Sequence, residues 1–192
     1  ARIYNWDGTS WNQLGSDIEG EAASDRSGWS VSLSADGNTV AIGAIYNKGN
    51  GNNSGHTRIY NWDGTSWNQL GSDINGEAAA DEAGYSVSLS ADGNTVAIGA
   101  PSNDGNGDDS GHTRIYNWDG SSWNQLSIDI NGEAAGYRSG WSVSLSSDSN
   151  TIAIGAPFFN YDNAELGHTR IFSLGEDLKR PSVSIVSNQL ES

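Results

Sequence analysis

Two residue periods run through the chain. Residues 86–90 (SVSLS) alternate small polar with apolar side chains, the period of two expected of a β-strand. Residues 95–100 (TVAIGA) form a short run of β-branched and small apolar residues. Residues 113–118 (TRIYNW) and 123–126 (WNQL) alternate polar with aromatic or aliphatic positions. Between the runs lie Asp92-Gly93-Asn94 and Asp119-Gly120, residues that tolerate the positive φ of tight turns. The pattern predicts four strands in two hairpins, first with second and third with fourth. Helix is nearly excluded, because the best candidate, 77–81, is a single turn.

The second period is 56 residues. Arg-Ile-(Tyr/Phe) recurs at Arg2, Arg58, Arg114 and Arg170, and segments 2–57 and 58–113 agree at 46 of 56 positions. The third copy follows the same pattern and the fourth diverges after Phe172. A four-stranded antiparallel unit repeated in tandem suits the blades of an all-β propeller. An open β-solenoid is the alternative, although its coils are usually much shorter. The expected division is a partial blade at 1–18, blades at about 27–74, 83–130 and 139–173, and a tail or linker at 175–192. This is fewer than the roughly 4–8 blades of ordinary propellers. Since Ala1 lies within a repeat, the expectation is an incomplete propeller from a longer precursor, closed by missing blades or by a second copy of the chain.

Composition narrows the function classes. The formal charge of −15 is spread along the chain, a field that repels nucleic acid and anionic lipid. No apolar run approaches the roughly 20 residues of a membrane span, so membrane insertion is not expected. Cysteine is absent, which removes disulfides and thiolate–metal sites. Eight tryptophans at fixed intervals separate this Gly-rich chain from disordered sequences.

The run Gly84-Tyr85-Ser86-Val87-Ser88-Leu89-Ser90, followed by Val96-Ala97-Ile98-Gly99-Ala100-Pro101, resembles the FG-GAP repeat of integrin α-subunit propellers. Gly28-Trp29 and Gly140-Trp141 match its start, and Gly155-Ala156-Pro157 its end, whereas Ile45 departs from the proline. The resemblance covers about three units and implies a secreted or cell-surface protein, with marine bacteria as the implied source. Many such blades carry an Asp-rich calcium loop between the first and second strands. Here that place holds only Ala35-Asp36-Gly37-Asn38-Thr39, too short for the roughly six to eight oxygens calcium takes, so no cofactor is carried over.

Candidate chemistry falls in the long loops 45–55, 101–111 and 157–167, which differ between copies while the hairpins barely change. Such variation reads either as drift or as a binding face. Asp104, Asn106, Asp108 and Asp109 alternate like the first ligands of a calcium loop, without its sixth-position glycine; a solvated acidic loop is the competing reading. Phe158, Phe159 and Tyr161 occur only in the third loop, as a partner-binding patch or as a cover for the last blade. His56, His112 and His168 share one repeat position, which separates them and favours a repeated structural hydrogen bond over one metal centre. The pairs Trp6/Trp11, Trp62/Trp67 and Trp118/Trp123 are expected to pack across strands, and Trp29, Tyr85 and Trp141 to lie in the core between blades. Asp17/Glu21/Asp25 and Asp73/Glu77/Asp81 are expected to be solvated or to cap turns, since catalysis needs an asymmetry that repetition does not supply. The expectation is therefore a non-enzymatic extracellular binding or adhesion module, its ligand a protein, glycan or surface. A structural spacer, or a non-catalytic domain of a polysaccharide-active enzyme, is the alternative.

Overall fold

The computed structural model of the chain describes residues 1–161, 164–174 and 182–183. A first hairpin joins β1 (Tyr4–Trp6) to β2 (Trp11–Gln13). The next sheet has the order β3 (Ser27–Leu33), β4 (Thr39–Ala44), β5 (His56–Trp62), β6 (Trp67–Gln69), with β7 (Ile74–Asn75) also paired to β5. The following repeat copies it with β8 (Ser86–Leu89), β9 (Thr95–Ala100), β10 (His112–Trp118), β11 (Trp123–Gln125) and β12 (Ile130–Asn131). The last sheet comprises β13 (Ser142–Leu145), β14 (Thr151–Ala156), β17 (His168–Ser173) and β18 (Ser182–Val183). Its long loop contains a small ribbon, β15 (Asn160–Tyr161) with β16 (Ala164–Glu165). All pairings between these strands are antiparallel, and no helix occurs among the described residues; residues 77–80 form bends and a turn.

The fourth strand differs from the sequence expectation. Rather than ending near Leu126, it breaks and resumes as β12, as β6 resumes as β7. In the second blade the break passes through Gly71 at φ +68°, where a Cβ would lie 2.8 Å from the Trp118 ring of the next blade. Gly15 makes the same approach to Trp62. Ser127 takes this position in the third copy, where Leu174 stands at the repeat position of Trp118.

The alternation in the innermost strands has a structural reason. Val87 and Leu89 face the preceding sheet and are buried with Ala41 and Ile59. Ser86 and Ser88 face the following one, where Ser86 Oγ donates to Gly140 O at 2.8 Å and Leu145 N donates to Ser88 Oγ at 2.9 Å. Ser30 and Ser32 repeat both bonds one blade earlier. Small hydroxyls thus let inner strands approach closely while satisfying backbone groups that packing would otherwise strand. Farther out, Trp67 Nε1 donates to Leu14 O and Trp123 Nε1 to Leu70 O, both at 3.0 Å. Successive sheets therefore stand face to face as propeller blades, with apolar clusters filling each junction.

Candidate functional site

The connections from the second to the third strand and from the fourth strand to the next blade lie at one end of the sheets. Their frame is built identically in the first two copies. Asn47 Oδ1 accepts from Gly49 N, and Asn103 Oδ1 from Gly105 N, each at 2.8 Å. Asn50 Nδ2 reaches Gly76 O and Glu77 O, as Asn106 Nδ2 reaches Gly132 O and Glu133 O. The residues that differ between the copies include Lys48/Asp104 and Asn52/Asp108, all exposed. Apart from the buried Ile45/Pro101 position, variation therefore falls on exposed or half-buried side chains while the frame stays fixed.

At this same end the innermost strands begin, and there the aromatics form a file. Trp29 and Tyr85 have ring centroids 5.5 Å apart, Tyr85 and Trp141 4.7 Å, and Trp141 meets Phe158 edge-on at 5.3 Å. The sequence placed Trp29, Tyr85 and Trp141 in the core. Instead Trp29 is 44% exposed, Tyr85 and Trp141 are half-buried, and Phe158 is 38% exposed. Arg26, Glu82 and Arg138 flank the file at one repeat position, all with left-handed backbone (φ 56°, 56° and 54°). Holding a non-glycine residue there costs about 1–2 kcal/mol, and such strain gathers at functional positions. Arg26 lies over Tyr46 and Trp29, and Arg138 over Phe158 while bonding Asp109 Oδ2 at 2.8 Å. Burial raises the pKa of the Glu82 carboxyl. The result is a row of aromatic faces edged by charges of alternating sign, suited to stacking and hydrogen bonding.

The other residues singled out in the sequence are placed as follows. Asp104, Asn106, Asp108 and Asp109 are not gathered around one point. Asn106 spans to the next blade's connection, Asp109 pairs with Arg138, and Asp104 Oδ1 accepts from Asp109 N. Phe159 folds inward onto His168 (ring centroids 4.0 Å) and Tyr137 (4.7 Å), leaving Phe158 as the described aromatic on the open face. The Tyr161 side chain lies outside the described residues, as does the tail apart from Ser182 and Val183. Trp62 and Trp67 are cross-strand partners with rings 5.4 Å apart. Asp25 and Asp81 cap the turn before the innermost strand, where Asp81 Oδ2 accepts from Ala78 N at 2.9 Å. His56 and His112 are buried, and their Nδ1 atoms face carboxylates without bonding a carbonyl or any other described group. Sequence reasoning missed the file as a surface. The signal was present, because one large aromatic per repeat precedes a strand whose small residues leave little room to bury it.

Residues 19–60 match the FG-GAP repeat family. The chain thus carries an FG-GAP-like repeat, and the internal identity extends that pattern over the other copies. No curated protein matches the chain. Among solved structures, it is similar to a putative 6-phosphogluconolactonase from Bacteroides uniformis, with a TM-score of 0.61, 11% identity and coverage of 95% of this chain and 47% of that one. It is also similar to the periplasmic gluconolactonase of Pseudomonas aeruginosa, with a TM-score of 0.57, 14% identity and coverage of 94% and 48%. The chain spans about half the length of these structures. At such identity the likeness is one of fold, and the fold is a β-propeller.

Proposed function

We propose that the chain is a non-catalytic binding module, displayed outside the cell, whose long-loop face takes an extended ligand along Trp29, Tyr85, Trp141 and Phe158. The observation that supports this reading is the continuity of the partly exposed file across three blades. A closed catalytic pocket would hold one asymmetric constellation, whereas a repeated aromatic row suits a repeated ligand. A glycan chain fits this chemistry best: sugar faces stack on indole and phenol rings, and hydroxyls bond the flanking guanidinium and carboxyl groups. Fold likeness to gluconolactonases does not transfer their activity.

The test is binding to a panel of neutral and acidic polysaccharides, read by tryptophan fluorescence and affinity electrophoresis. Trp141→Ala is expected to weaken glycan binding about tenfold, a loss of about 1.4 kcal/mol. Tm should move by only a few degrees, since the ring is half-buried. Peptide binding along the same file would redirect the ligand class, and binding indifferent to Trp141 and Tyr85 would overturn the site. Failure to bind any glycan or protein would leave a spacer role. Turnover of a lactone or polysaccharide would refute the non-catalytic reading.

A further inference from the structure

The His56 side chain, at the start of β5, is 1% exposed. Its Nδ1 has no hydrogen-bond partner among the described residues, and it points between two carboxylates from different segments. Asp73 Oδ2, in the break of the fourth strand, stands 3.6 Å away, and Glu21 Oε2, in the connection before β3, stands 3.8 Å away. The next repeat has the same arrangement. His112 Nδ1 lies 3.6 Å from Glu77 Oε2 and 3.9 Å from Asp129 Oδ2, and it too is unpartnered. In each set the three ligand atoms fall within 4.8 Å of one another.

A buried, unpartnered ring nitrogen costs about 1–3 kcal/mol, yet the structure contains it twice. These distances exceed the roughly 3.2 Å limit of a good N–H···O bond. Both rings are also buried, which disfavours the charged imidazolium that would make an ion pair. A shared cation resolves the arrangement. Nitrogen and oxygen ligands about 2.1 Å from zinc, at tetrahedral angles, lie about 3.4 Å apart, so the histidine–carboxylate spacings need only a few tenths of an ångström of contraction, and the two carboxylates close from at most 4.8 Å. The charges also match. Glu21, Asp73 and neighbouring Asp25 face one guanidinium, Arg58, whose Nη1 is 3.9 Å from Glu21 Oε1. Asn47 Nδ2 bridges Glu21 and Asp25 at 3.3 and 3.0 Å. Three carboxylates against Arg58 and Lys48, which lines the same cleft, leave one negative charge to compensate. Glu77, Asp81 and Asp129 stand in the same relation to Arg114. Glu21 and Asp73 also line an open cleft of about 370 Å³, which gives an ion a way in and water a place to complete its coordination.

The third copy shows the set dismantled. Glu133 Oε2 remains 3.6 Å from His168, but through Nε2, and Tyr137 and Phe159 stand at the repeat positions of Asp25 and Asn47. Both aromatics pack against the His168 ring. No third carboxylate completes the set among the described residues.

We propose that Glu21, His56 and Asp73 bind one divalent transition-metal ion of the zinc class, and Glu77, His112 and Asp129 a second, each pinning an inter-blade connection and the broken fourth strand to the start of the third strand. Imidazole with two carboxylates selects this class over calcium, which takes oxygen ligands. The test uses the full chain, stripped by chelator, equilibrated with zinc alone, desalted and analysed by mass spectrometry of the metal, with calorimetry for saturation. Two zinc ions per chain are expected, one in His56→Ala, one in His112→Ala, none in the double variant and two in His168→Ala. Glu21→Gln and Asp73→Asn touch less buried groups, so each removes one ion from a chain whose chelator-treated Tm matches wild type. Cobalt in place of zinc should show visible absorption that His56→Ala and His112→Ala each reduce by about half. Absence of saturable zinc uptake, or uptake unchanged in the double histidine variant, overturns the proposal. Neither result bears on glycan binding at the aromatic file.

Discussion

Gly43 and Gly99 show how one absent methyl group sets the spacing of blades. A Cβ on Gly43 would overlap the Gly84 carbonyl oxygen and Ser30 Oγ, and a Cβ on Gly99 would overlap Gly140 O and Ser86 Oγ. Both residues belong to the Gly-Ala step legible in the sequence, but a recurring glycine does not reveal that its Cα face abuts the next blade's backbone. Gly43→Ala should destabilise by about 3 kcal/mol, the upper end for an overpacked core. Gly37→Ala, with φ +73° but nothing within 4 Å, should cost about 1 kcal/mol in denaturant melts. Equal costs would refute the contact argument. A second prediction concerns acid. Asp63 Oδ1 accepts from Thr65 N, Thr65 Oγ1 and Ser66 N at 2.7–2.8 Å, and Asp7 and Asp119 repeat this turn. These hydrogen bonds hold all three carboxyls well below the usual range, the Thr65 hydroxyl contributing most at Asp63. With the folded pKa depressed, the contribution is complete above the unfolded value of about 3.9 and is lost as pH falls toward the folded one. Tm should therefore drop more steeply below about pH 4 in wild type than in Asp63→Asn/Asp119→Asn. Parallel curves would contradict this. The Asp-Gly pair marked the turn in the sequence, whereas the burden on one carboxylate emerges only when the loop closes.

Among elements, the innermost strand was read well and the fourth poorly, for reasons of packing. Alternating Ser-Val-Ser-Leu announces two faces, and the structure fills one with apolar contact and the other with hydroxyls serving the next blade. The fourth strand was read only as far as Leu126, because residues 127–129 do not alternate, yet Ile130 returns to pair with Thr113. What resumes the strand is tertiary, namely the buried Ile130 and the ladder already set by β10. The histidine set was illegible for a related reason. Its members lie 17 or more residues apart in the chain and meet only because the fourth strand breaks at Asp73 and Asp129. Element pairing yields a sharp test. Ser88→Ala strands the Leu145 amide and should cost about 1–3 kcal/mol. Ser144→Ala, the same repeat position on an exposed face, should stay within about 0.5 kcal/mol. If the two melts coincide, the hydroxyl latch between blades has no energetic role.

At the scale of the molecule, the two outer faces of the blade stack are halves of one junction. Val31 and Leu33 are 58% and 50% exposed, whereas their counterparts Val87 and Leu89 are 9% and 7% exposed. Ile171 is 45% exposed, whereas Ile59 and Ile115 are 1%. Inside the stack, the Val-Leu face of one blade meets the Ala-Ile face of the blade before it. Ile3 of the β1–β2 hairpin now fills the place Ile171 would take on this face; with the hairpin displaced, one copy's last sheet is complementary to another's β3, a head-to-tail contact that buries apolar area on both sides. The 192-residue chain should then associate with rising concentration in sedimentation velocity. Leu33→Glu places a charge on one face and Ile171→Glu on the other, and each variant alone should run as a monomer. Mixed, they retain one good face each, Ile171 on the Leu33→Glu chain and Leu33 on the Ile171→Glu chain. A one-to-one dimer that grows no further is the outcome head-to-tail pairing requires. Association through like faces would instead leave each variant able to dimerise with itself, and no dimer in the mixture would show that these faces do not pair.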